Sequence, residues 1–259
     1  MVRALVTALR TLTILPVPGR EADPLAAALP SFPLVGALLG TLLAGVSRGM
    51  LHVAPGWALG AAVATTVAEV ALTGGLHLDG LADAADSLGA GGDREKALAV
   101  MKDSRVGAFG VMAVGCALLL KVAAYTEIAT APGTWSALCG AFVASRLTMV
   151  HLSAFLPYAR AEGGIGGAFV AGARKGHYAA ALGLAVVLCA LAGPGALCLL
   201  AAGVALSCIA ARWCNRRFGG VTGDLLGACA ELVLLALLMA AAVVAARFGA
   251  WPAWSAAAP

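Results

Sequence analysis

Residues 225–248 read LLGACAELVLLALLMAAAVVAARF, an unbroken apolar run whose only charged side chains are Glu231 and Arg247. A helix needs about 20 predominantly apolar residues to cross the hydrocarbon core of a bilayer. This run has that length and reads as a transmembrane helix. Working outward, six further runs have the same character, at about 31–51, 54–76, 106–129, 133–156, 177–193 and 194–214. The whole chain of 259 residues is 61% hydrophobic and 12% charged. Soluble domains run near 45–50% and 25%. That balance excludes a soluble globular enzyme, a disordered protein and a nucleic-acid binder. The expected architecture is all-α: one integral-membrane domain over 1–259, a polytopic helical bundle of about seven transmembrane helices.

Turn chemistry separates the runs. Gly193-Pro194-Gly195 and Pro132-Gly133 are tight connections. Gly36 and Gly40, four apart, let a second backbone come close. Such a seam serves packing within one chain or between chains, so a homo-oligomer stays open. Residues 1–20 contain no small-residue cleavage site and read as an interfacial segment, with Arg3 and Arg10 held at the lipid surface. The seven cysteines form no CxxC pair and read as small packing residues.

The basic residues set the expected orientation. Arg3, Arg10 and Arg20 precede the first span. Arg94, Lys96, Lys102 and Arg105 lie between the second and third, and Arg160, Arg174 and Lys175 between the fourth and fifth. Arg212, Arg216 and Arg217 lie about the end of the sixth. Arg48 and Arg247 alone fall opposite. The positive-inside rule makes the rich side cytoplasmic. The N-terminus and the long loops, 77–105 foremost, are then expected inside.

The informative loop is Leu76-His77-Leu78-Asp79-Gly80-Leu81-Ala82-Asp83-Ala84-Ala85-Asp86. On a helix Asp79, Asp83 and Asp86 fall at i, i+4 and i+7, within an arc of roughly 60°. No Lys or Arg occurs from Leu51 through Asp93. Like charges at this spacing repel by roughly 0.2–0.5 kcal/mol per pair, and a divalent cation would offset that. Mg2+ prefers hard oxygen ligands and keeps water and substrate phosphates in its shell. The three aspartates are therefore the expected Mg2+ ligands, with a diphosphate as the bound group.

Other groups are candidates for the same site. Asp103 lies between Lys102 and Arg105, two cations suited either to phosphate oxygens or to setting topology. Asp93 reads as a helix N-cap. His77 is a candidate ligand or proton carrier, or an ordinary interface residue. Asp224 follows the glycines of Gly219-Gly220-Val221-Thr222-Gly223, and Glu231 is seven residues on, about 10 Å along the same helix face. Glu69 has a similar expected depth. Arg146 lies near the middle of the fourth span and needs a buried partner or an anionic ligand. Lys121 is also expected to be buried or to snorkel outward. The run Gly163-Gly164-Ile165-Gly166-Gly167 reads as a flexible loop.

Together these segments resemble one family. Gly75–Asp83, Met101-Lys102-Asp103-Ser104-Arg105-Val106-Gly107-Ala108-Phe109-Gly110 and Leu118–Lys121 are similar to motifs of the cobalamin-5'-phosphate synthases, the adenosylcobinamide-GDP ribazoletransferases. Leu15–Pro18, Phe32–Gly36, Pro157–Arg160 and Gly219–Asp224 look like that family too. The resemblance implies an inner-membrane enzyme of the last stage of adenosylcobalamin synthesis. Such an enzyme joins adenosylcobinamide-GDP to α-ribazole or its 5'-phosphate, releases GMP and uses Mg2+. On that basis Asp79, Asp83 and Asp86 are expected to hold the metal. Asp83 or Asp103 is expected to take the acceptor's proton, with Asp79 beside them. Lys102, Arg105 and Arg146 are expected to offset phosphate charge, and Asp224, Glu231 and Glu69 to complete the site. The alternatives are a membrane phosphotransferase with a nucleotide-diphosphate donor and a lipid acceptor, or a transporter.

Overall fold

The computed structural model describes residues 2–160 and 164–253. Eleven α-helices follow in order among these residues: α1 (Val2–Leu12), α2 (Phe32–Val53), α3 (Ala58–Thr73), α4 (Leu76–Leu88), α5 (Arg94–Val100), α6 (Ala108–Thr130), α7 (Thr134–Phe155), α8 (Ile165–Gly172), α9 (Lys175–Ala192), α10 (Pro194–Phe218) and α11 (Gly223–Phe248). A 3₁₀ segment, Leu25–Ser31, leads into α2. No strand occurs among the described residues; Tyr158 and Val221 form an isolated parallel bridge. Among the described residues six helices are long and apolar enough to cross a membrane: α2 with its 3₁₀ lead, α6, α7, α9, α10 and α11. A seventh crossing exists if α3 and α4 count as one bent span.

The second expected span, 54–76, thus ends early. Gly74 and Gly75 both have positive φ, 62° and 70°, a conformation open to glycine at little cost. The chain turns there by 87° between α3 and α4.

Helix α7 is the axis of the bundle. It is buried from Thr134 through Ser153 with few breaks, as expected of a helix apolar all round and enclosed by others. Backbone contact made possible by glycine holds its neighbours close. A Cβ on Gly36 would lie 2.5 Å from the carbonyl oxygen of Phe142, and one on Gly40 would lie 2.8 Å from Leu138 O. The Gly36/Gly40 seam therefore packs α2 on α7 within one chain. Gly140 meets Ala196 of α10, and Gly203 of α10 meets Ala144, in the same way. The outer helices expose Leu119, Val187 and Leu191, apolar side chains of the kind a bilayer covers.

Helix α1 is amphipathic. It turns Val6, Ala8 and Leu12 inward and packs along the 3₁₀ segment. Gly163 of the glycine run lies outside the described residues. From Ile165 the run forms helix α8 and not a flexible loop, because Gly166 and Gly167 allow close packing on Gly223 and on the Tyr158 ring.

Candidate active site

The site is built where α4 crosses the start of α11. Gly80 makes the crossing possible, since a Cβ there would lie 2.6 Å from the carbonyl oxygen of Asp224. The Asp79-Gly80 pair therefore presents a carboxylate beside a position of backbone contact. Thr222 caps α11, its Oγ1 accepting from the amide of Leu225 at 3.2 Å. The loop after α7 is laced to the loop before α11. The Val221 amide donates to Pro157 O at 2.9 Å, and the Ala159 amide to Val221 O at 2.8 Å. This lacing brings Arg160 onto Asp224, Nη2 to Oδ2, at 2.6 Å. Both side chains are mostly buried. Asp83 lies within the electrostatic reach of Asp224, Asp79, Asp86 and Arg160 together.

A cavity of about 410 Å³ opens beside this crossing. Asp79, Gly80, Gly223 and Asp224 line it from α4 and α11, and Met149 and Ser153 from α7. Thr7, Arg10 and Thr11 of α1 face it too, with Leu29 and Phe32 at the entry to α2. Among the described residues Arg10 is the only cation of the lining. Its Nε and Nη2 donate to the carbonyls of Val17 (3.0 Å) and Gly19 (3.1 Å), and its Nη1 pairs with Glu21 at 3.3 Å. Arg10 is thus anchored at the cavity wall by two loop carbonyls and Glu21.

The three aspartates of α4 are helical neighbours, and Asp86 has backbone partners that the other two lack. Both oxygens of Asp86 are engaged. The Gly107 amide donates to Oδ2 at 2.7 Å and the Gly110 amide to Oδ1 at 2.8 Å. Asp86 therefore binds the free amides at the start of α6, where a helix favours negative charge. Any Cβ on Gly107 or Gly110 would lie 2.5 Å from this carboxylate. Asp79 and Asp83 accept no hydrogen bond and form no ion pair among the described residues. Nor do three His, Cys, Asp or Glu side chains converge as a ready metal cluster among those residues.

Asp103 and Arg105 do not reach the cavity. Arg105 Nη2 lies 2.6 Å from Asp103 Oδ2, and its Nε and backbone amide donate to Oδ1, each at 3.0 Å. This two-residue fork, at the surface, holds the Asp103 carboxyl at about 2, well below the usual range. Lys102 is exposed in the same loop and is not among the cavity residues.

Glu69, Glu231 and Arg146 face inward as expected, but toward one another. Lys121 Nζ lies 2.6 Å from Glu69 Oε1 and also pairs with Glu231. Tyr125 donates its hydroxyl to Glu69 Oε2 at 2.6 Å. Arg146 donates to Ser145 Oγ at 2.9 Å and lies 5.6 Å from the Phe142 ring centroid, within the fields of both glutamates. Two cations and two anions from α3, α6, α7 and α11 neutralise each other inside the bundle. That is the arrangement buried charge requires, and it leaves none of the four lining the cavity. His77 is buried beside this cluster, with Nε2 unpartnered.

Arg10, Ser153 and the pairing of Arg160 with Asp224 are site features that sequence reasoning did not place. Arg160 carried a weak signal, as a cation in a short loop beside Pro157. Ser153 carried none, because a serine in an apolar run reads as packing.

Fold and site together define a multi-span helical membrane protein with a carboxylate-edged cavity at one end of its bundle. The sequence profile described as cobalamin-5-phosphate synthase matches residues 4–242. The chain belongs to that family. It is 40% identical over 252 residues to an adenosylcobinamide-GDP ribazoletransferase of Chlorobium phaeovibrioides, covering 96% of this chain and 100% of that one. A protein of the same name from Chlorobaculum parvum is 42% identical over 249 residues, 94% of this chain and 96% of the relative. One from Syntrophobacter fumaroxidans is 43% identical over 242 residues, with 91% and 96% covered. No solved structure matches the chain.

Proposed function

We propose that this protein is an adenosylcobinamide-GDP ribazoletransferase, joining the corrinoid of adenosylcobinamide-GDP to α-ribazole, or its 5'-phosphate, with release of GMP. The observation that carries the reading is a cavity lined by Asp79 and Asp224, with Arg160 paired to Asp224 and Asp83 one turn along α4 from Asp79, in a chain of this family. The acceptor hydroxyl oxygen attacks the phosphorus borne by the corrinoid. A new P–O bond forms, the bond to the bridging oxygen of GMP breaks, and GMP leaves with that oxygen. Asp83 takes the hydroxyl proton, because Asp86 is bound to helix amides and Asp224 to Arg160. Arg160 holds Asp224 in place at the cavity edge. The Gly80 crossing fixes both helices, so that the reacting groups meet without rearrangement.

Asp79 and Asp83, one turn apart and without hydrogen-bond partners among the described residues, are the hard-oxygen pair that Mg2+ would take, the rest of its shell being water and diphosphate oxygens. When bound there, the ion would offset charge on the departing phosphate. The expected trio thereby reduces to a pair. The cavity end of the bundle faces the cytoplasm, a reading supported by the Arg- and Lys-rich loops; the membrane is the inner membrane of a bacterium.

Purified protein in detergent should release GMP from adenosylcobinamide-GDP only when α-ribazole and Mg2+ are both present, and EDTA should stop it. Turnover of CDP-diacylglycerol without GMP release would overturn the reading.

A further inference from the structure

Ser153 is 3% exposed, and its hydroxyl has no hydrogen-bond partner. Two other buried hydroxyls of α7 do have partners: Ser145 donates to Ala230 O at 2.8 Å, and Thr148 to Ala144 O at 3.1 Å; Ser136, which does not line the cavity, has none among the described residues. Of the side chains lining the cavity, Ser153 carries the one buried polar atom left unpartnered among the described residues. Buried polar groups are nearly always satisfied, and an exception calls for a ligand or water. Much of the surrounding wall is apolar: Leu25, Leu29, Phe32, Met149, Phe169 and Leu226. Phe32 and Phe169 stand edge to face, their centroids 5.6 Å apart.

We propose that this apolar part of the cavity is the subsite for the planar nitrogen heterocycle of the acceptor nucleoside, with the Ser153 hydroxyl donating to its free ring nitrogen. The inference rests on the ribazoletransferase reading and adds a specificity-determining residue to it.

The chemistry of the wall separates the acceptor from the donor. A glycosylated benzimidazole is flat and apolar except for one ring nitrogen, which accepts a hydrogen bond. One buried hydroxyl satisfies it. A guanine edge presents several donors and acceptors, and this part of the wall would leave most of them unmade. The donor's corrinoid, with its side chains and adenosyl group, is too large for a cavity of about 410 Å³. Small-molecule sites commonly combine an apolar wall with few convergent polar groups. With the ring held there, the ribose hydroxyls are directed to the remaining polar lining, which includes Asp79 and Asp224.

The test compares N-methylbenzimidazole with N-methylindole, which has the same shape but lacks the accepting nitrogen. Binding to the full chain in detergent is followed by ligand-observed NMR. Wild type should favour the benzimidazole about five-fold, the ratio of one ordinary hydrogen bond. S153A should abolish the preference, S153T should retain it, and S153V should weaken both rings by filling the space. In turnover, S153A should raise KM for α-ribazole about five-fold and leave kcat and KM for adenosylcobinamide-GDP unchanged. No preference in wild type, no binding of either ring, or a preference that survives S153A overturns the proposal. Absence of GMP release from wild type would instead overturn the transferase reading, and the ring-binding result would still decide the role of Ser153.

Discussion

The carboxylate of Asp86 accepts the amide hydrogen of Gly107 at 2.7 Å, tying the last turn of α4 to the first turn of α6. With the Gly110 amide on its other oxygen, this is a helix-start interaction between two segments that sequence motifs make look independent. It distinguishes Asp86 from Asp79 and Asp83 by its partners. D86A should lower thermal stability in detergent by about 1–2 kcal/mol, the usual cost of a lost helix-start carboxylate, and should retain measurable GMP release. D83N should leave the unfolding midpoint within a degree or two and reduce GMP release at least about 100-fold, the lower range for a positioned base. Equal loss of activity in the two variants, with equal stability, would place Asp86 back among the reacting groups.

Asp103 offers a second contrast. Arg105 holds its carboxyl at about 2. A depressed folded value stabilises above the unfolded pKa of about 3.9 and loses that effect only as pH falls toward 2. From pH 5 to 9 the pair is therefore fully ionised and contributes no slope. A carboxylate so acidic is a poor proton acceptor near neutrality. D103N should leave kcat within about two-fold and the pH–rate profile unmoved across that window. A ten-fold fall in kcat, or a shifted acid limb, would restore Asp103 as the base.

How far the sequence could be read follows from these cases. Apolar length located every long helix to within a few residues, because burial in lipid needs a fixed number of residues. Helical spacing placed Asp79, Asp83 and Asp86 on one face. Spacing carries no information on what comes to meet that face, so the amides of Gly107 and Gly110 were missed. Depth along a helix likewise brought Glu69, Glu231 and Arg146 inward. Their mutual neutralisation with Lys121 depends on which faces four helices turn to each other. Arg160 reaches Asp224 only through the bridge of Tyr158 with Val221, a contact with no local signature. The break at Gly74-Gly75 was present as a Gly-Gly pair inside an apolar run.

Gly80 tests whether the α4–α11 crossing sets the geometry of the site. A methyl group there would fall 2.6 Å from Asp224 O, against backbone that has little room to yield. G80A should push the helices apart, costing about 1–3 kcal/mol as overpacking does. Because Asp79 and Asp224 sit on the two helices so displaced, GMP release should fall at least ten-fold even at temperatures where the protein stays folded. Circular dichroism and turnover on one preparation would check this. Normal kcat in folded G80A would mean that the crossing only packs.

The buried charges make the last prediction. Lys121 stands between Glu69 and Glu231, so K121M leaves two carboxylates facing one guanidinium inside the bundle. Removing one partner of a buried pair typically costs about 3–5 kcal/mol, whereas removing charge in balance is often close to neutral. K121M alone should therefore unfold far earlier in a detergent melt. K121M/E69Q restores balance, since Arg146 then faces Glu231 only, and should recover at least half of the lost stability. The folded double variant should bind α-ribazole and adenosylcobinamide-GDP with KM values within about three-fold of wild type, because none of the four charges lines the cavity. A double variant that is stable yet raises either KM ten-fold would show that the cluster acts on substrate, and would return Glu69 to the site at which sequence reasoning first placed it.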